Sequence, residues 1–173
     1  MTTPELRTAR LRLTPYTPTD EEDFVGLFQD ASVARWMGEG LQTEAEDRAL
    51  FGRIFSKVYA RGLFDVWAVR HDGRFIGHAE IKPSSSVGGQ EIVYALTATA
   101  WGRGFGTEIA RALTRYGLDT LGLPEVHATV AAANTASLAV LDRTGFRHVR
   151  DITEDDGSIT LVLTCTENPG SAG

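Results

Sequence analysis

The stretch 100-AWGRGFGTEIARAL-113 sets three glycines at alternate positions, Gly102, Gly104 and Gly106, directly ahead of an apolar-periodic run. The segment before it, EIVYALT over 91–97, alternates like a strand, with Ile92, Tyr94 and Leu96 on one face and Glu91, Val93 and Ala95 on the other. The order is therefore strand, glycine-rich loop, helix. A helix N-terminus carries unpaired N–H groups and a partial positive charge. Glycines before it let the backbone turn and let a ligand approach without meeting a Cβ. Together these features make a phosphate site, the alternative being a connection that merely contains glycine. Two other phosphate loops do not fit. A Walker A loop needs a lysine that Gly106-Thr107 lacks. A Rossmann fingerprint needs its third glycine one position later and no antiparallel β-run ahead of it.

Working outward, the bulk numbers fit such a domain. The chain has 173 residues, enough for one domain with a sizeable core. Its composition, 42% hydrophobic and 23% charged, is that of a globular protein. We expect a single domain over 1–166 and a small, polar, flexible tail over 167–173. No apolar run approaches a membrane span and the N-terminus has no apolar signal core, which predicts a cytoplasmic protein with no membrane partner. The formal net charge is −6 and no Lys/Arg run exists, which argues against a nucleic-acid partner. Cys165 is the only cysteine, so an internal disulfide is excluded, and it reads as a small buried residue of a late strand. The four histidines show no metal-ligand spacing, so no metal is expected.

Along the chain, RLRLTPY alternates as a first strand that Pro15 ends or places at an edge. Thr19 with Glu22 and Thr43 with Glu46 match the capping-box spacing, predicting helices over 20–29 and 44–60, with a short one near Ser32–Met37. FDVWAVR and FIGHAEIK are strands joined at the turn HDGR. After the glycine loop, Ile109, Leu113 and Tyr116 share a helical face. EVHATVA is a strand, NTASLAVLDRTG a short helix ended by Gly145, and FRHVRDI with SITLVLTCT a closing hairpin. The class is mixed α/β.

The glycine loop has a companion. NTASLAVLDRTGF, 134–146, sets out Asn134, Ser137, Leu141, Gly145 and Phe146. At this separation the pair of segments resembles the GNAT family of acyl-CoA-dependent N-acetyltransferases, and in particular its RimJ/RimL-like, ribosomal-protein N-terminal acetyltransferase branch. The opening LRTARLRLTPYTPTDEEDF and the run EIVYALTATAWGRGFGTEIARAL are similar to that branch as well. The resemblance covers nearly the whole chain and is strongest over 64–150. It implies an α/β (α+β) GNAT fold, in which a mixed, mostly antiparallel sheet is splayed between two parallel strands and flanked by helices. It implies acetyl-CoA in the gap. The pyrophosphate would rest on the amides of Gly102, Arg103, Gly104, Phe105, Gly106 and Thr107. The pantetheine arm would pair with the backbone of Ala95, Leu96 and Thr97, and Asn134 and Ser137 would line the coenzyme.

Two positions depart from the family. Trp101 stands where an Arg or Gln is usual and reads as packing, so phosphate binding rests on backbone amides. Leu141 stands where many members carry the tyrosine that protonates the leaving thiolate. Ser137, one turn earlier, could hydrogen-bond the sulfur instead, although capping alone would also explain Asn134 and Ser137. Glu91 is the candidate general base, acting through a water. The alternative is a rim carboxylate, with Glu80 on the neighbouring strand the poorer candidate. The acids Asp20–Asp23 read as a solvated helix start. Glu39, Glu44, Glu46 and Asp47, near Trp36 and Met37, would suit a cationic amine. The expected reaction is direct acetyl transfer to a primary amine, either a protein N-terminus or a small molecule. The alternative is a non-catalytic acyl-CoA sensor or partner-binding module. The sequence leaves the oligomeric state open.

Overall fold

The computed structural model describes residues 2–167. Positions 168–173, most of the expected tail, lie outside them. The elements run β1 (Leu6–Arg7), β2 (Leu11–Pro15), α1 (Glu21–Gln29), α2 (Ala31–Ala34), α3 (Glu44–Arg53), β3 (Asp65–His71), β4 (Arg74–Ser84), β5 (Gly89–Leu96), α4 (Phe105–Arg115), β6 (Val126–Ala131), α5 (Thr135–Arg143), β7 (Arg147–Thr153) and β8 (Ile159–Cys165). The eight strands are ordered β1-β2-β3-β4-β5-β6-β8-β7. β5 and β6 are parallel, with Glu91 opposite His127. The chain forms two compact units that share β4 and β5. One comprises the chain up to Glu80 with Tyr94–Phe105, the other Ile81–Val93 with the chain from Gly106.

In the first unit, Leu11 and Leu13 of β2 are buried on one face while Arg12 points out. β2 pairs antiparallel with β3, from Leu11 opposite His71 to Pro15 opposite Trp67. Pro15 is the last residue of its strand, beyond the reach of β1, which pairs only at Arg12 and Leu13. Val66, Trp67, Ala68 and Val69 are all buried, so β3 is covered on both faces. The β3–β4 turn places Asp72 and Gly73 at φ 50° and 75°, the two left-handed residues of a tight hairpin. Phe24 and Val25 of α1 and Phe51 of α3 pack with Ile54, Val58, Tyr16, Val66 and Ala68 into one core. Each of these larger side chains contributes about 1.5–3 kcal/mol by leaving water.

Two expectations about the first helix need correction. The first helix is introduced by a 3-10 turn, Pro18–Asp20, and its cap is Thr17, whose N–H donates to the Asp20 carboxylate at 2.9 Å. Pro18 forces this: it suits a first-turn position and holds Thr17 extended. Glu22, expected to close that box, instead pairs with Arg48 at 2.7 Å. Asp20 is not solvated. It is 5% exposed and receives Arg70 Nη2 at 2.6 Å, while Arg70 Nε donates to Thr14 Oγ1. The helix expected over 44–60 is there, capped by Thr43 with the expected Glu46 box, and it widens to π-type turns over Ile54–Tyr59. The short helix is Ala31–Ala34, capped by Asp30, and β1 had no signal strong enough to read.

In the second unit β6 pairs antiparallel with β8, from Val126 opposite Cys165 to Ala131 opposite Thr160, and β7 closes the edge on β8. Ile109, Leu113 and Tyr116, the expected helical face, are all buried, Tyr116 lying in the π-type turn that follows α4. Gly117, just past that helix, is a close-approach position. A Cβ there would stand 2.7 Å from Val126 and 2.9 Å from Ile81. Gly145, at φ 90°, ends α5 as expected, and Cys165 is buried in the last strand.

Candidate functional site

The glycine loop is ordered by contacts within its own unit. Ala98–Ala100 form a short 3-10 turn, and the indole Nε1 of Trp101 donates to the Leu96 carbonyl at 2.9 Å. Trp101 is 47% exposed, so it closes the loop rather than filling the core. Gly102 and Gly104 take φ 71° and 80°, the left-handed region that L side chains avoid. A Cβ at Gly102 would meet nothing within 4 Å, whereas one at Gly104 would stand 3.2 Å from Arg10 Nη2. Arg10 Nη1 donates to the Arg103 carbonyl at 2.9 Å, and its guanidinium lies 4.4 Å from the Phe105 ring centre. Arg103 covers the same ring at 4.7 Å. Phe105 is 1% exposed, so it can serve a ligand only through its amide. Gly106 and Thr107 sit inside the first turn of α4, an 11-residue helix. Gly102 and Gly104 are bare, left-handed positions directly ahead of α4, the kind of backbone that could hold a diphosphate.

The strand before the loop modifies one expectation. The Thr97 N–H is turned to the Ile76 carbonyl at 2.9 Å, and a Cβ on Gly77 would lie 2.4 Å from the Ala95 carbonyl, so these groups face β4. The Leu96 carbonyl is held by Trp101. Alternation along the strand directs the Leu96 N–H to the opposite edge, leaving it as the donor of that trio for an extended arm.

In the second unit, Glu91 Oε2 accepts from Thr129 Oγ1 at 3.0 Å. Asn134 caps α5, its Oδ1 accepting from the Ser137 N–H at 3.3 Å. Leu141 is buried, and its carbonyl accepts from Phe146 N–H, so this position is part of the core. His127 is also structural, with Nδ1 2.8 Å from Thr164 Oγ1 and Nε2 3.3 Å from Glu125. Among the described residues there is no group of three or more His, Cys, Asp or Glu able to hold a metal ion, and no helix long and apolar enough to cross a membrane.

Sequence reasoning missed one constellation. In the first unit Tyr16 Oη is 2.7 Å from His78 Nδ1, and His78 Nε2 is 2.7 Å from Glu80 Oε1. Tyr16 and His78 are buried. Burial, reinforced by the Glu80 charge, holds the Tyr16 phenol well above its ordinary range, so it stays protonated, the form that can donate to Nδ1 while Glu80 accepts at Nε2. His78 is then the Nε2–H tautomer, donating to Glu80. His78 and Glu80 share a strand face and were legible as a pair; Tyr16, 62 residues from His78, had no sequence signal. The acids expected to attract a cation are mostly engaged. Glu44 pairs with Arg48, Glu46 caps Thr43, and Asp47 is buried against Gln29.

Comparison with known proteins follows this geometry. Residues 10–147 match the family described as acetyltransferase (GNAT) domain. The FsC-acetyl coenzyme A-N(2)-transacetylase of Aspergillus fumigatus is 30% identical over 156 residues, 84% of this chain; the chain spans 66% of that protein's length. An acetyltransferase of the GNAT family from Bacillus anthracis superposes with TM-score 0.81 at 19% identity, covering 94% of this chain and 98% of that one. Mycobacterium smegmatis RimJ, solved in complex with CoA-disulfide, superposes with TM-score 0.80 at 20% identity, covering 100% and 90%. At those identities the two structures speak for the fold.

Proposed function

The chain belongs to the GNAT acetyltransferase family, and from that premise we propose that residues 1–166 form one acetyl-CoA-dependent N-acetyltransferase domain acting on a primary amine. The observation that carries the reading is the pair of left-handed glycines, Gly102 and Gly104, opening onto the N-terminus of α4. The amides from Gly102 to Thr107 bind the diphosphate of the coenzyme, and the Leu96 N–H steadies the pantetheine arm. Acetyl-CoA supplies an acetyl group activated as a thioester. The Ser137 hydroxyl donates toward the sulfur, where negative charge gathers as the C–S bond breaks. With Leu141 in place of an acid, that charge is met by hydrogen bonding rather than by a side-chain proton. Glu91 takes the amine proton through a water. The relative from Aspergillus fumigatus is named for acetyl transfer from acetyl coenzyme A to a nitrogen, which supports the reaction class. A single cysteine suits the reducing cytoplasm.

A second assignment of the base is favoured by a specific observation. The hydrogen-bonded chain Tyr16–His78–Glu80 gives Glu80 a fixed partner and a route for redistributing charge when it takes a proton. Among the described residues, Glu91 has the Thr129 hydroxyl in that role. Thiol release on mixing the protein with acetyl-CoA and a panel of primary amines tests the enzyme reading. Coenzyme binding by calorimetry without thiol release from any amine would make the chain an acyl-CoA-binding module instead.

A further inference from the structure

We propose that the acceptor is a primary amine carried beside an aromatic or comparably bulky apolar group, and not a polycation. This rests on the acetyl-transfer reading above and names its substrate class. The first unit supplies the argument by itself. Ala95 is buried in a small cluster with Leu27 and Val33, and the half-buried Phe28, Met37 and Phe75 pack against it. Phe28 and Phe75 also pack against the larger core around Tyr16, Phe24 and Phe51. The Phe28 ring centre is 5.3 Å from that of His78, and Phe75 is 6.4 Å from Tyr16. A run of partly exposed rings therefore connects Ala95, on the strand expected to hold the acetyl-bearing arm, with the His78–Glu80 pair, whose ring and carboxylate stand 2.7 Å apart. An apolar group beside the amine would cover the water-facing remainder of these rings.

The charge around this wall points the same way. Asp20 is neutralised by Arg70, Glu22 and Glu44 by Arg48, and Asp47 is buried against Gln29. Glu46 is committed to the cap of α3. Glu80, held against His78 beside these rings, is the carboxylate that meets one ammonium as the amine docks and loses its proton. The further charges of a polyamine would be laid on phenylalanine and methionine side chains, which cannot replace their water. The same chemistry could arrive on a small arylalkylamine or on a peptide whose first residue is apolar, and the test separates these sources.

Thiol release from acetyl-CoA is measured with 2-phenylethylamine and a Phe-initiated tetrapeptide against butane-1,4-diamine, spermidine and Ser- and Asp-initiated tetrapeptides. We expect kcat/KM for at least one ring-bearing acceptor to exceed its polar counterparts by at least ~10-fold, about 1.4 kcal/mol. The better of the two identifies the source. Phe75→Ala should reduce that preference to below roughly threefold while KM for acetyl-CoA stays put. Phe75→Leu, which keeps the volume and loses the ring, repeats the measurement should the alanine variant misfold. Equal or better turnover of the polyamines or polar peptides overturns the proposal, as does a preference that neither variant moves. Coenzyme binding with none of the acceptors turned over also overturns it while leaving the coenzyme site standing; absence of coenzyme binding overturns the acetyl-transfer reading itself.

Discussion

Replacing Gly104 by valine tests the cradle at the point where structure and ligand compete. Gly104 sits at φ 80°, and any Cβ there would approach Arg10 Nη2 to 3.2 Å. Holding an L residue in the left-handed region costs about 1–2 kcal/mol. Displacing Arg10 would loosen its hydrogen bond to the Arg103 carbonyl, a net ~0.5–1.5 kcal/mol, and its seat over Phe105. If the loop keeps its shape, the variant is less stable by about 2–3 kcal/mol. If the loop relaxes, the amides of 102–107 no longer converge and the coenzyme loses them. In the first case the valine side chain itself obstructs the approach of the diphosphate, so in both cases calorimetric titration with CoA should show affinity reduced at least tenfold, about 1.4 kcal/mol. Gly73→Ala is the control. It imposes a similar backbone strain at φ 75° in the β3–β4 turn, with nothing within 4 Å of the new Cβ. It should lower the urea midpoint and leave CoA affinity unchanged. A folded Gly104→Val variant that binds CoA as tightly as the parent would refute the phosphate-cradle reasoning.

Ser137→Ala should lower kcat more than it raises KM for acetyl-CoA, whereas Asn134→Ala should cost about 1 kcal/mol of stability by denaturant titration through loss of the α5 cap. Glu91→Gln should cut kcat by ~10²-fold, with relief at high pH as free amine accumulates, if Glu91 is the base. Tyr16→Phe should instead leave KM alone and shift the acid limb of the kcat profile if Glu80 is the base, because the phenol that fixes the His78 tautomer is gone. Above neutrality, stability should hold to about pH 10 and then fall. The Tyr16 phenol is held far up and that of Tyr59 is pushed up to about 12, mainly by burial in both, so the unfolded chain loses those protons first. Urea midpoints at pH 8 and pH 11 measure this, and Tyr59→Phe should flatten the slope.

Most of the fold was legible because its signals are local. The alternation of Leu11 and Leu13, the Thr43–Glu46 box, the left-handed Asp72-Gly73 turn and the Gly145 stop each use residues within a few positions of one another. The misreadings share a cause. Thr19–Glu22 and Thr17–Asp20 offer the same spacing, and what selects the second is Pro18 together with Arg70, 50 residues away. Nothing near Asp20 in sequence shows that it will be buried. β1 spans Leu6–Arg7 and is defined only by its partner, so it has no period to detect.

The same distinction divides the candidate site. A diphosphate asks for backbone, and a backbone cradle is written in consecutive residues, which is why Gly102, Gly104 and the start of α4 stand out in the sequence as the candidate. Proton transfer asks for a side chain whose affinity for a proton is set by its surroundings, and surroundings are long-range. Glu80 and Glu91 look alike in sequence, each a carboxylate within a largely apolar strand. Tertiary contacts separate them. Glu91 Oε2 accepts from the Thr129 hydroxyl in the second unit. Glu80 is joined through His78 to a phenol that burial keeps protonated. When Glu80 gains a proton it keeps lone pairs that accept from the imidazole, and Tyr16 keeps Nδ1 occupied throughout. A carboxylate in such a chain changes charge without leaving a buried imidazole unsatisfied. That argues for Glu80 wherever the amine is delivered among the rings of Phe28 and Phe75, and for Glu91 only if a water bridges it to the amine.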